Sequence, residues 1–304
     1  MTSSPAPADR SRTLPEPPPE NVGHADPSRA RSRSLRAVAV RRPVLTFVIL
    51  AVGFTVLSEM ALLISGLPVF PGKAAELIVL PGLAALITAW SGGRAAVRRL
   101  FAGLLVWRIG VGRWLVILLA MPVATLAVGA ATGTLRPPAT GWGSVVLTYF
   151  GLLALIALTG SIFEETAWAG FVQKRLIARH GLLAGSMLTA IPFFVIHIPL
   201  AFEVKGWAGT TWPEAALDWA LLLAALPALR YLAGVLLVDA RGSVLAVAVM
   251  HASFNASGGM AVVSGGWQYV PALIIVAALV AGYRVLRGRS FVGKAAATGE
   301  AAQA

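Results

Sequence analysis

The chain alternates long apolar stretches with short segments that contain Arg, Lys, Gly or Pro. An α-helix needs about 20 apolar residues to cross the roughly 30 Å of hydrocarbon in a bilayer, and most of these stretches are about that long. The pattern therefore predicts an all-α fold, a polytopic membrane helical bundle with about eight transmembrane helices. We place them near residues 43–64, 74–91, 114–132, 144–172, 182–201, 215–238, 243–264 and 268–284.

The two ends of the chain differ from this pattern. Residues 1–42 are rich in Pro, Ser and Arg and hold too little apolar surface to fold, so we expect a disordered cytoplasmic tail. We expect residues 43–290 to form the membrane-embedded domain and residues 291–304 a disordered C-terminal tail. No apolar segment resembling a signal peptide begins before Val44. The arginines of residues 94–113 interrupt a moderately apolar face, which predicts an amphipathic helix at the membrane surface.

The basic residues give the expected orientation. If the N-terminus is cytoplasmic and there are eight spans, 21 of the 25 Lys and Arg residues lie on the cytoplasmic side. Three lie on the other side, at Lys73, Arg136 and Lys205, and Arg230 lies within a span. Because cytoplasmic loops are enriched in Lys and Arg, the sequence predicts a multi-pass protein of the cell membrane with both termini in the cytoplasm.

Composition supports the membrane assignment and removes several function classes. The chain is 57% hydrophobic and 12% charged, too apolar to cover the surface of a soluble domain. It has no cysteine, which excludes disulfides, thiolate metal sites and a cysteine nucleophile. The formal charge of +12 is explained by orientation in the membrane, and we expect no nucleic-acid partner because no recognition motif accompanies it.

Four polar positions stand out within the predicted spans: the pair Glu164-Glu165, His197, His251 and Asn255. Glu164 precedes the predicted turn at His180-Gly181 by 16 residues and His197 follows it by 16, so an antiparallel helical hairpin would place them at equal depth. Asn255 follows His251 by four residues and shares its helix face.

These groups suit peptide hydrolysis. A carboxylate in a low-dielectric site can deprotonate water, one His can position that water, and the other His with the Asn can donate to an oxyanion. Alternatively, Glu164, His197 and His251 could hold a catalytic zinc with an open fourth position. Taken singly, each group also fits a helix-packing hydrogen bond or a proton relay, so a transporter is a further alternative. The absence of a visible internal repeat speaks against the transporter.

The same residues form three ordered motifs, Glu164-Glu165-x-x-x-Ala169, Phe193-x-x-x-His197 and His251-x-x-x-Asn255. In these the chain resembles the CPBP family of CAAX proteases and bacteriocin-processing (Abi) proteins across about residues 144–262. That family carries EExxxR, FxxxH and HxxxN/D motifs and is often labelled a metalloprotease family.

The resemblance implies an intramembrane endopeptidase that acts on a membrane-associated or lipidated peptide within the lipid bilayer. In it, Glu164 and His197 would activate water, while His251 and Asn255 would form the oxyanion hole. We favour a metal-free glutamate mechanism, with zinc as the alternative.

The chain departs from the family at one position, because Ala169 replaces the motif arginine. We expect Arg230, a buried cation without an evident partner, to neutralise Glu165 instead. Glu165 and Arg230 are therefore the predicted supporting residues. If the substitution abolishes activity, the protein would be a catalytically silent immunity or scaffold protein.

Overall fold

The apolar stretches fold into eight main helices in residues 36–290, the part of the chain that the computed structural model describes. These are α1 (Pro43–Ile64), α2 (Phe70–Ala102), α3 (Val111–Ala131), α4 (Trp142–His180), α5 (Leu182–Val195), α6 (Trp212–Asp239), α7 (Val244–Gly258) and α8 (Tyr269–Leu286).

Seven of these helices are long and apolar enough to cross a membrane, α5 when it is counted together with the tighter turns that continue it to Phe202, and α7 is the shorter eighth. Its 15 residues extend only about 22 Å, less than the hydrocarbon thickness. Many large apolar side chains on the other helices are exposed at the surface of the bundle, as a lipid-facing surface requires. The prediction of an all-α polytopic membrane bundle is confirmed.

Two predicted boundaries are refined by the structure. Most of the predicted N-terminal tail and all of residues 291–304 lie outside the described residues, but residues 36–41, at the end of that tail, are helical. This last part is richer in Ala and Val, and Ala39 is buried. The predicted surface helix begins at a break in α2, where Gly93 adopts φ +62° and ψ −163°, a conformation that favours glycine.

The short helix α7 lies at the centre of the bundle, packed against α3, α4, α6 and α8. Eleven of its residues are buried, and many of them are alanines. A helix that is apolar on all sides is stable only when other helices surround it. Its N-terminus is fixed by Ser243, which accepts a hydrogen bond from the Ala246 amide and donates one to the Val106 carbonyl.

The helix α4 is not regular around its acidic pair. Two wider π-helical stretches, Ala157–Ser161 and Thr166–Gln173, flank the short α-helical segment Ile162–Glu165. Each π turn changes the direction in which the following side chains point, and such turns recur at functional sites. Glu164 and Glu165, in the segment between these turns, both contact side chains of other helices.

Glycines allow α5 to approach its neighbours closely. A Cβ at Gly185 would lie 2.5 Å from the backbone nitrogen of Ile177, at the end of α4. A Cβ at Gly234, in α6, would lie 2.5 Å from the Ser186 hydroxyl. Both distances are far below van der Waals contact, so side chains at these positions would separate the helices that carry the site.

Substitution Gly185→Ala is expected to lower the free energy of unfolding by about 1–3 kcal/mol, because the clash is with backbone atoms that cannot rotate away. The matched control is Gly151→Ala, where an added Cβ meets no atom within 4 Å. It should be neutral or slightly stabilising, since Ala favours a helix over Gly. Thermal unfolding in detergent measures both, and equal effects would contradict the close helix crossing.

Orientation in the membrane is tested by reporter fusions. Fusions at Gly181 and after Arg289 should report a cytoplasmic location, and a fusion near Gly206 should report the opposite side, because the basic residues are so unevenly distributed. An external signal at Gly181 would reverse the predicted orientation of α4 and α5.

Candidate active site

The Glu164 carboxylate lies between two histidines from different helices. Its Oε1 lies 3.7 Å from Nε2 of His197, and its Oε2 lies 3.7 Å from Nδ1 of His251. The Glu164 side chain is 16% exposed and that of His197 is 13% exposed, so the pair is recessed but accessible. The structure thus brings together three of the sequence-predicted site residues.

The tautomer of His197 follows from its hydrogen bond. Nδ1 lies 2.7 Å from the Phe193 carbonyl oxygen, which can only accept, so Nδ1 carries the proton. In a neutral ring, Nε2 then presents its lone pair towards Glu164. The helical spacing of four residues from Phe193 to His197 places the ring over this carbonyl, at the point where α5 ends.

Glu165 forms the buried, charged base of the site. Its Oε2 accepts a hydrogen bond from Nη1 of Arg230 at 3.0 Å, and its Oε1 is in contact with Nη2. Both side chains are fully buried. The expected pairing of Arg230 with Glu165 is therefore observed, and a fork-shaped pair of this kind satisfies both carboxylate oxygens.

The same carboxylate orients the second histidine. Nδ1 of His251 donates to Oε1 of Glu165 at 2.8 Å, which fixes the direction of the other ring nitrogen, Nε2. A buried carboxylate that fixes the tautomer and direction of a histidine is a recurring device in hydrolases. The sequence motif did not reveal this link, because Glu165 and His251 are 86 residues apart.

Asn255 is placed differently from the other predicted site residues. It lies one turn beyond His251 on α7 but is exposed, and its side chain makes no hydrogen bond to another residue within 36–290. Its amide is therefore free to contact a bound molecule.

The zinc alternative needs three side chains that direct lone pairs at one point. Among the described residues, no three His, Cys, Asp or Glu side chains are grouped as metal ligands. Nδ1 of His251 donates to Glu165, so Nε2 is the nitrogen of that ring that could bind a metal. Zinc binding by Glu164, His197 and His251 therefore stays a prediction.

Aromatic residues support the site from behind. Trp168 is fully buried and packs edge-on against Phe47 of α1 and Phe193 of α5, with ring centroids 5.5 and 5.4 Å away. Phe193 in turn contacts the His197 ring, and its own ring lies 4.0 Å from the Arg230 guanidinium carbon. Ala169, where the family has Arg, is fully buried in this core.

The structure contains a second cluster of charged side chains that was not predicted from the sequence. Lys73 of α2 lies 3.1 Å from Glu59 of α1 and 2.8 Å from Glu76, and both acids are buried. In the sequence, Lys73 lies between two predicted spans and has no predicted partner. The sequence does contain an indication of this cluster, since Glu59 and Glu76 are acids within apolar stretches and Lys73 precedes Glu76 by three residues.

Comparison with known proteins agrees with this geometry. The family described as "Rce1-like: Type II CAAX prenyl endopeptidase Rce1-like" matches residues 146–257, which include all three motifs. No curated protein and no solved structure matched the chain. Residues 146–257 thus match an Rce1-like type II CAAX prenyl endopeptidase domain, consistent with the CPBP family that the motifs resemble.

Proposed function

We propose that the protein is an intramembrane endopeptidase that hydrolyses a peptide bond in a membrane-associated or lipidated substrate, with water activated by Glu164 and His197. One observation carries the proposal: the accessible Glu164 carboxylate faces the unprotonated nitrogen of His197 at 3.7 Å. Two acceptors at this separation can share one water, because each lies within hydrogen-bond reach of a common point.

The water would donate one hydrogen to each acceptor and direct its own lone pair towards the substrate. Glu164 takes a proton as the water oxygen bonds to the carbonyl carbon of the scissile peptide. The resulting tetrahedral intermediate carries its negative charge on the former carbonyl oxygen. Transfer of that proton from Glu164 to the leaving nitrogen then accompanies cleavage of the C–N bond, which restores the carboxylate.

The negative charge of the intermediate needs donors on the opposite side of the site. His251, held on Glu165, and the free amide of Asn255 one turn further are the proposed donors. His251 donates from its second ring nitrogen when the ring is protonated, and the Glu164 and Glu165 carboxylates lie close enough to balance that charge.

The location of the site limits the substrate. The site residues lie on helices long enough to span the membrane and on the central α7, so a substrate must reach a recessed site at the membrane. A lipidated peptide or a membrane-anchored segment partitions into that environment. The Rce1-like match supports a CAAX-type substrate class, in which the modified cysteine precedes the cleaved residues.

The proposal can be tested before any substrate is identified. Membranes from cells producing the wild-type protein or Glu164→Gln are compared by mass spectrometry of peptide termini. An endopeptidase generates new termini that disappear in the variant, while the amount of protein in the membrane is equal. Identical termini in both samples would contradict the proposal and favour the silent immunity or scaffold alternative.

A defined probe complements this comparison. The purified protein in liposomes is given a fluorogenic peptide with a farnesylated Cys-a-a-X end, or the same peptide without the lipid. Cleavage of the lipidated form alone would support the CAAX-type class, and cleavage of neither would remove that class.

A further inference from the structure

Lys73 lies where two helices outside the matched domain meet the end of α5. Its ammonium group is in contact with Glu59 of α1, donates to Glu76 of α2 and donates to the backbone carbonyl of Ile196 at 3.0 Å. Ile196 directly precedes His197. The α1–α2 hairpin thereby reaches the peptide bond between Ile196 and His197, the latter a residue that we place in the catalytic machinery.

The carbonyl of Ile196 needs a partner from elsewhere in the chain. Beyond Val195 the α-helix gives way to the tighter turns of Ile198–Phe202. A tighter turn would pair the Ile196 carbonyl with the amide of residue 199, but Pro199 has no N–H. The amide of Leu200 donates to His197 instead. Lys73 therefore supplies the hydrogen-bond donor for the Ile196 carbonyl that Pro199 cannot provide.

The carbonyl of Ile198 also accepts a hydrogen bond from a side chain of another helix. Nε1 of Trp219, on α6, donates to the carbonyl of Ile198 at 3.0 Å. His197 thus sits between two carbonyls that are fixed by side chains of different helices. Its ring direction depends on this backbone, because Nδ1 is anchored four residues back at Phe193.

Lys73 therefore donates hydrogen bonds to Glu76 and Ile196, and its ion pairs with the two acids hold its ammonium in place. Glu59 is fully buried, and its Cγ passes 3.0 Å from where a Cβ of Gly72 would stand. The absence of a side chain at Gly72 thus makes room for the acid that contacts Lys73. The Lys73 contacts thus join α1, α2 and the end of α5, and they differ from a surface ion pair because both acids are buried.

We infer that Lys73, held by Glu59 and Glu76, is a positioning residue that sets the backbone at Ile196–His197 and so aims His197 at Glu164. The inference rests on the proposed function for its kinetic consequence. It extends the site beyond residues 146–257, because the cluster belongs to α1 and α2.

The test compares Lys73→Met with Lys73→Arg in liposomes, using the farnesylated fluorogenic peptide as probe. Lys73→Met should lower kcat by up to about 100-fold with little change in KM, because a displaced catalytic group affects the reacting geometry. Lys73→Arg retains a donor and should recover most of the rate. Lys205→Met is the matched control, since it removes a Lys–Glu pair that is exposed, and it should leave kcat unchanged.

A second readout is independent of activity. Two-bond ¹H–¹⁵N spectra of ¹⁵N-histidine protein report the tautomer of each ring, with His197 identified by comparison with His197→Gln. The wild type should show the Nδ1–H form at His197, and Lys73→Met should shift or broaden that signal while Lys73→Arg preserves it. If the wild type cleaves no probe but this shift appears, the CAAX-type substrate class fails and the positioning role stands.

Lys73→Met leaves two buried acids without their cation and so can unfold the protein. The variant Glu59→Leu/Lys73→Met/Glu76→Leu removes the whole cluster, and apolar replacement of a buried ionic group is often tolerated. It should fold yet show the same kcat loss and His197 signal change. A folded triple variant with wild-type kcat and an unchanged His197 signal would overturn the inference.

Discussion

Replacing Arg230 by Ala is expected to lower the free energy of unfolding by about 3–5 kcal/mol, because Glu165 would remain as a buried, uncompensated charge. Both side chains are fully buried, and the guanidinium contacts both carboxylate oxygens. Activity should fall as well, since Glu165 also orients His251. Thermal or denaturant unfolding in detergent measures the first effect, and peptide cleavage by the remaining folded protein measures the second.

Control variants distinguish the loss of the Arg230–Glu165 pair from the general effect of removing an arginine. Arg179 is exposed near the end of the same helix as Glu165, so Arg179→Ala should change stability by less than about 0.5 kcal/mol. The variant Arg230→Ala/Ala169→Arg restores one buried cation at the position where the family has it. It should recover part of the stability, although Ala169→Arg alone should destabilise the protein because Ala169 is fully buried. Additive losses in the double variant would show that position 169 cannot neutralise Glu165.

The two adjacent glutamates should respond differently to the same substitution. Glu164→Gln should lower the rate of peptide cleavage by about 10²–10⁴-fold, the usual contribution of a general base, with little change in stability. Glu164 is 16% exposed and its nearest basic nitrogens are 3.7 Å away. Glu165→Gln should reduce both rate and stability, because it leaves the Arg230 charge unpaired in the core.

The comparison is made on protein reconstituted at equal folded concentration, with cleavage of the farnesylated peptide and thermal unfolding measured in parallel. If Glu164→Gln retains wild-type activity, Glu164 is not the base. If instead Glu165→Gln alone abolishes cleavage without loss of stability, the roles of the two glutamates are reversed.

The polar side chains of the site form two groups that differ in exposure. Glu165 and Arg230 are fully buried and orient His251, whereas Glu164 and His197 are partly exposed. The substitution of the motif arginine by Ala169 therefore does not leave Glu165 unpaired. The cation that contacts Glu165 is Arg230 on α6, while the motif position on α4 holds Ala169.

The sequence by itself determined the helical membrane fold and the relative heights of Glu164 and His197 along their helices. Apolar length decides whether a helix can span a bilayer, and residue counts from a turn convert directly into height along a helix. These local rules placed Glu164 and His197 at the same level. They also identified Arg230 as the partner of Glu165, because a buried cation and a buried anion each require a counter-charge.

Only the tertiary structure decided which polar atoms meet. The π turns around Glu164 change side-chain directions in a way that residue spacing does not encode, and they place Glu165 beside His251. The contact of Lys73 with Ile196 joins residues 123 positions apart. Such contacts depend on how helices cross, and those crossings are set by the packing of small residues such as Gly185 across the whole bundle.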